Sequence, residues 1–145
     1  MEIRSTEGSC LCGAVRFKLS PPSRFCAHCH CRNCRRAHGA AFVTWAGYPE
    51  DQVRITSGEE LLTRYRTDTD ATRTFCSRCG STLFYAGARW AGELHVALAN
   101  VAGEIDREPS AHSYVDHRAP WWSITDSLPQ YGGEDGVTPV KPNQD

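Results

Sequence analysis

The sequence predicts one mainly β domain with little helix, and three observations predict it. Turn signals recur at short intervals, as in Pro21-Pro22-Ser23, Ser57-Gly58 and Ala102-Gly103. Between them lie short runs rich in β-branched and aromatic residues, with no long amphipathic stretch. Eight cysteines fall in tight clusters within 145 residues, about the length of one ordinary domain.

The elements follow from local pattern. Residues 14–19 alternate strictly, with Val15, Phe17 and Leu19 on one face and Arg16 and Lys18 on the other, which is the period of a half-buried strand. Further strands are expected over 41–46, 53–56, 61–66, 72–75, 81–86 and 94–99. The single helical segment is 31–38, and Gly39 stands where a left-handed residue stops a helix. Residues 131–145 are expected as a C-terminal tail, held loosely from Val137 onward because Pro139 and Pro142 stand among few apolar groups.

Composition narrows the partners. Lys+Arg 16 against Asp+Glu 17 gives a formal charge of -1, without the basic excess that phosphate-backbone binding requires, so nucleic acid is not an expected partner. The first residues, MEIRSTEGSC, carry charges and no apolar core of a signal segment, and no window is long and apolar enough to span a bilayer. The expectation is a cytoplasmic protein with no membrane partner.

In a reducing compartment, clustered thiols are expected as metal ligands or reactive groups rather than disulfides. Cys10 and Cys12 enter the 14–19 strand two residues apart, so both sulfurs lie on one face of an extended backbone. Cys76-Ser77-Arg78-Cys79-Gly80 has the C-x-x-C spacing of a zinc knuckle, and the glycine after it is free to take positive φ. Together the two pairs make a closed tetrahedron of four thiolates around a structural zinc.

The second cluster, Cys26-Ala-His-Cys29-His-Cys31-Arg-Asn-Cys34, is open to more than one reading. Cys29, Cys31 and Cys34 supply three thiolates from one short turn, and a three-ligand zinc keeps a coordination position for substrate. Closure of that position by Cys26 would make the site structural. His28 and His30 flank Cys29, and neighbours in an extended segment point to opposite faces, which disfavours them as ligands of the same metal. The other histidines, His38, His95, His112 and His117, are expected as surface or satisfied interior groups.

The order Gly8-Ser9-Cys10-x-Cys12-Gly13, then Cys29-His30-Cys31-x-x-Cys34-Arg35-Arg36-x-x-Gly39, then Phe75-Cys76-x-x-Cys79-Gly80-Ser81, closing with Ala119-Pro120-Trp121, resembles the glutathione-dependent formaldehyde-activating family, which includes a centromere-protein branch. The resemblance spans about residues 5 to 130 and is specific, since three spaced motifs occur in order. It implies a β-tent of layered antiparallel sheets stapled by zinc. It further implies two zinc ions per chain, a structural one on Cys10, Cys12, Cys76 and Cys79 and a catalytic one on Cys29, Cys31 and Cys34, with Cys26 outside the ligand set.

The activity so implied is that of a zinc-dependent carbon-sulfur lyase acting on the adduct of glutathione, or another small thiol, with formaldehyde or a related small aldehyde. Arg32, Arg35, Arg36 and Arg78 stand beside ligand cysteines and offset thiolate charge. Arg35 and Arg36 are also the residues expected to hold the carboxylates of an acidic thiol, which suit bidentate guanidinium contacts. The alternative is a noncatalytic zinc-stapled glutathione carrier or binding module. A methionine sulfoxide reductase on a similar tent-like fold fits less well, because seven metal-bound cysteines leave only Cys26 for thiol chemistry.

Overall fold

The computed structural model describes residues 5–140. In chain order the elements are β1 (Thr6–Ser9), β2 (Arg16–Leu19), β3 (Phe25–Cys29), α1 (Arg32–His38), β4 (Val43–Pro49), β5 (Val53–Ser57), β6 (Leu62–Arg66), β7 (Ala71–Cys76), β8 (Thr82–Gly87), β9 (Glu93–Ala97), β10 (His112–Ser113), β11 (Tyr131–Gly132) and β12 (Thr138–Pro139), with short 3-10 turns between some of them. The fold is mainly β, as the sequence predicts. None of the described helices is long and apolar enough to cross a membrane. The chain forms two compact units, each discontinuous in sequence.

The first unit comprises the chain up to Phe25 together with Ala46–Glu108. Here β1, β2 and β5 form an antiparallel sheet in the order β1-β2-β5, with Thr6 opposite Leu19 and Leu19 opposite Val53. The alternation of residues 14–19 has the consequence the period requires: Val15, Phe17 and Leu19 are buried while Arg16 is exposed. The run β9-β8-β7-β6 is an antiparallel ladder, in which Phe84 faces Val96 and Leu62 faces Cys76. Phe17 meets Phe84 edge to face at 5.1 Å between centroids, amid buried Val15, Leu83 and Val96.

The second unit comprises Cys26–Trp45 and the chain from Pro109 onward. Its strands run in the order β10-β3-β4. The β10–β3 pair is parallel, with His112 beside His28 and Ser113 beside Cys29, an exception among the antiparallel ladders that the sequence led us to expect. Parallel pairing needs a long excursion between the strands, and the chain between β3 and β10 supplies one.

Some boundaries differ from the expected ones for identifiable reasons. The strand expected at 41–46 runs instead from Val43 to Pro49, through two residues that usually interrupt strands. Gly47 belongs there because the Phe25 ring lies against it, and a Cβ would overlap that ring. Leu98 and Ala99 leave β9 for a 3-10 turn. Strands β1 and β3 had no clear pattern of their own, β3 being concealed in the cysteine motif. The helix matches its expected place, and Gly39 closes it at φ 60° and ψ 43°. Part of the stretch expected as a loose tail is held: β11 pairs antiparallel with β12, the Tyr114 N–H donates to the Gly136 carbonyl at 3.0 Å, and the Val140 N–H donates to the Gln130 carbonyl at 2.9 Å. Residues 141–145 of that stretch, Pro142 among them, lie outside the described residues.

Phe17→Ala removes the largest apolar side chain of β2 from a site that is 1% exposed. It should lower unfolding free energy by about 3–5 kcal/mol, as measured by urea denaturation.

Candidate metal centres

The first cysteine set is assembled by two turns of the first unit. After β1 the chain folds back at Gly13, whose φ of 79° lets its N–H reach the Cys10 carbonyl at 3.1 Å. After β7 the Gly80 N–H donates to the Cys76 carbonyl at 2.7 Å, again with φ 79° at the glycine. A hydrogen bond from the Leu11 N–H to Ser81 Oγ at 2.8 Å ties the two turns together. The four sulfur atoms of Cys10, Cys12, Cys76 and Cys79 lie within 4.8 Å of one another, although Cys12 and Cys76 are 64 positions apart.

These distances test the fit of a metal. Tetrahedral zinc with Zn–S near 2.3 Å demands sulfur–sulfur edges of about 3.8 Å. Cys10 and Cys12 stand at 3.5 Å and Cys12 and Cys76 at 4.0 Å, on either side of that value. The donor set is also right for zinc, since four soft thiolates select it over hard cations. Outer contacts orient the sulfurs: the Val15 N–H donates to Cys10 Sγ at 3.3 Å and Ser81 Oγ lies 3.3 Å from Cys79 Sγ.

The thiols compete for charge in a way that a cation resolves. Ser81 and nearby N–H groups bring Cys79 down to about 5. For Cys10 burial acts upward, yet the Val15 N–H and neighbouring thiols leave it lowered. For Cys12 the Ala14 N–H acts downward but is outweighed by desolvation and the other three cysteines, so it is pushed up to about 11. Four sulfurs this close cannot all ionise unaided, whereas a zinc ion held by Cys10, Cys12, Cys76 and Cys79 would favour the thiolate form of all four.

The second set lies in the second unit, where β3 ends and α1 begins. Cys29 is the last residue of β3, Cys31 the N-cap of α1 and Cys34 the helix's buried residue. Cys29 Sγ lies 3.6 Å from Cys34 Sγ, close to the same tetrahedral edge. The Cys29 and Cys34 thiols, followed by the first-turn N–H groups, hold Cys31 far below the ordinary thiol range. Cys31 and Cys34 in turn drive Cys29 well above it, and burial adds to the effect. Cys26 and Cys29 are both buried, but three positions apart in a strand puts their side chains on opposite faces of β3. None of the eight cysteines is in a disulfide.

The two arginines singled out from the sequence differ in setting. Arg35 is half-buried, and its Nε is buried with no hydrogen-bond partner among the described residues. Arg36 is one step further round α1 and exposed. A group that sequence reasoning left among ordinary interior residues joins this unit: His112 Nδ1 lies 2.8 Å from His30 Nε2, and His112 Nε2 is 3.0 Å from both carboxylate oxygens of Asp126. Burial, then the neighbouring His112, His28, Arg118 and Arg35, brings His30 down to about 4. Only the position of His30 between two cysteines could have marked it in the sequence.

Comparison with known proteins agrees with these motifs. Residues 5–117 match the family model described as glutathione-dependent formaldehyde-activating enzyme. A protein of Halomonas elongata, named provisionally as a glutathione-dependent formaldehyde-activating enzyme, is 29% identical over 125 residues, covering 81% of this chain and 80% of its own. An uncharacterised lyase of Schizosaccharomyces pombe is 34% identical over 82 residues, covering 55% of this chain and 56% of its own. The crystal structure of a Rhodobacter sphaeroides protein superimposes with a TM-score of 0.59 at 30% identity, covering 70% of this chain and 92% of that one.

Cys76→Ser removes a thiol of the quartet that is wholly buried in the first unit. The variant should lose one bound zinc by elemental analysis and most of its native near-UV circular dichroism, because binding free energy at such a site is largely folding free energy.

Proposed function

The chain belongs to the glutathione-dependent formaldehyde-activating enzyme family, and on that premise we propose that it catalyses addition of a small acidic thiol, glutathione first among them, to formaldehyde or a related small aldehyde, and the reverse cleavage. The observation that carries this reading is the approach of Cys29 Sγ to Cys34 Sγ at 3.6 Å, with Cys31 between them in sequence at the N-cap of α1 and Arg35 next along the helix, its buried Nε without a hydrogen-bond partner among the described residues. In this reading the chain holds two zinc ions, the closed quartet serving the fold and the three-cysteine set serving the reaction.

Zinc held by three thiolates supplies a coordination position that favours a sulfur ligand as thiolate near neutral pH. The chain's own residues supply the rest. Cys29 at the end of a strand and Cys34 inside a helix are fixed by backbone hydrogen bonds, so the three donors are presented on rigid elements. Arg35 donates to a carboxylate of the thiol, and Arg36, facing solvent, steers an anion toward the site. The reaction balances without a redox partner: the carbon–sulfur bond forms, the carbonyl π pair moves to oxygen, and the proton that leaves sulfur ends on that oxygen as a hydroxyl. A carbon–sulfur lyase runs the same exchange in reverse.

Wild-type protein should carry two zinc ions per chain by elemental analysis, and Cys34→Ser should carry one while keeping its near-UV spectrum. Cys26→Ser should keep both, because its side chain lies on the other face of β3; loss of the second zinc in that variant would mean a closed site and no lyase. The rate of S-hydroxymethylglutathione formation, followed by NMR exchange between glutathione and formaldehyde, should exceed that of enzyme-free thiol at equal pH. Cys31→Ala should abolish the excess. Tight glutathione binding by calorimetry with no acceleration would leave the carrier reading instead.

A further inference from the structure

Strand β6 ends its sheet, and β7 is its sole strand neighbour among the described residues. Register decides which of its backbone groups β7 uses. The Thr67 N–H donates to the Ala71 carbonyl and the Ser77 N–H to the Leu61 carbonyl, both at 2.8 Å, so the odd-numbered residues of this ladder are the ones bonded to β7. Bonded and non-bonded pairs alternate in an antiparallel ladder, and the N–H and C=O groups of Leu62, Arg64 and Arg66 therefore point to the open edge.

The strand has few of the features that close such an edge. It holds no proline, and it pairs with β7 without a register shift. Thr63, Arg64, Tyr65 and Arg66 are all exposed, and the large Tyr65 side chain is left 62% exposed. What restricts the edge is charge: Arg64 and Arg66 lie along it, and Glu60 is exposed in the 3-10 turn Glu59–Leu61 that leads into it.

That pattern is self-complementary in one antiparallel register. Around a two-fold axis at Arg64 or at Arg66 the arginine meets its own copy, and around Tyr65 each Arg64 meets an Arg66; like charges directly opposite are destabilising. An axis at Leu62 pairs only that residue of β6. An axis at Thr63 instead sets Thr63 against Thr63 and Leu62 against Arg64 of the second copy, whose outward backbone groups bond one another. Tyr65 then lies toward Leu61 of the second copy, and Arg66 toward its Glu60. Arg66 also pairs with Asp70 of its own chain, an exposed ion pair weak enough for the guanidinium to take a second carboxylate.

We propose that β6 pairs antiparallel with β6 of a second copy of this chain, with the two-fold axis at Thr63, so that one sheet runs through both copies. The contact is isologous and small, which makes the dimer a reversible one. It is independent of the lyase reading.

Sedimentation velocity on the full chain from about 5 to 500 µM should pass from monomer to dimer with Kd on the order of 10–100 µM. Arg64→Pro removes an edge-facing N–H and leaves the β7 ladder its donors, so that variant should be monomeric with an unchanged near-UV spectrum. Glu60→Arg alone and Arg66→Glu alone should each weaken the dimer about tenfold, since both symmetry-related contacts become like-charged. Mixing those two variants should restore the dimer, because each contact again joins opposite charges. Wild type that stays monomeric throughout overturns the proposal. A dimer that survives Arg64→Pro, or single variants that mixing does not rescue, would place the contact on another surface and overturn it equally.

Discussion

The meeting of Cys10 and Cys12 with Cys76 and Cys79 is the constraint from which the first unit takes its form. Two turns whose Cys12 and Cys76 are 64 positions apart must arrive with all four sulfurs within 4.8 Å of one another. Such closure of a long loop costs chain entropy that grows only slowly with length, so one strong clip is enough to offset it. With the turns so placed, Phe17 of β2 meets Phe84 edge to face while Val15 and Leu19 are buried as well, so the apolar core is registered on the four cysteines. The Leu11–Ser81 and Val15–Cys10 hydrogen bonds belong to the same arrangement, since each satisfies a backbone donor while orienting a cysteine or its turn.

The second unit solves a different problem. Its cysteines come from one short stretch, so there is no long loop to close, and the sulfurs are placed by the switch from strand to helix between Cys29 and Arg32. A strand end and a helix start converge naturally, and Gly39 stops the helix after two turns so that β4 can begin at Val43. Thiols held this way share charge unevenly, with Cys31 driven down and Cys29 driven up from the ordinary thiol range. The asymmetry follows from depth and neighbours: Cys29 is buried and faces two other thiols, whereas Cys31 accepts from both and from the first-turn N–H groups.

Around that stretch the parallel pairing of β10 with β3 brings in side chains from a remote segment. His112 lies beside His28 in register, which carries its ring to His30, and Asp126 caps the pair from the following loop. Phe42 and Trp122 lie 5.0 Å apart with tilted rings, both against His30, so polar atoms here work at low dielectric. That setting makes each hydrogen bond stronger and each unpartnered atom more costly, and His30 Nδ1 and Arg35 Nε are buried there with no hydrogen-bond partner among the described residues.

What the sequence by itself determined was everything with a local period or spacing. The alternation of residues 14–19, the helix ending at Gly39 and the C-x-C and C-x-x-C pairs each depend on residues within a few positions, and each is found where those patterns require it. The tertiary structure alone decided what joins distant positions. His30 and His112 are 82 positions apart and meet only because β10 lies parallel to β3; nothing in the local sequence around Asp126 marks it as the carboxylate that completes the series. The continuation of β4 through Gly47 is of the same kind, since the Phe25 ring that requires a glycine comes from another strand. Periodicity is written in the chain because backbone geometry repeats within it, whereas a contact between remote side chains is fixed only when packing brings their strands together.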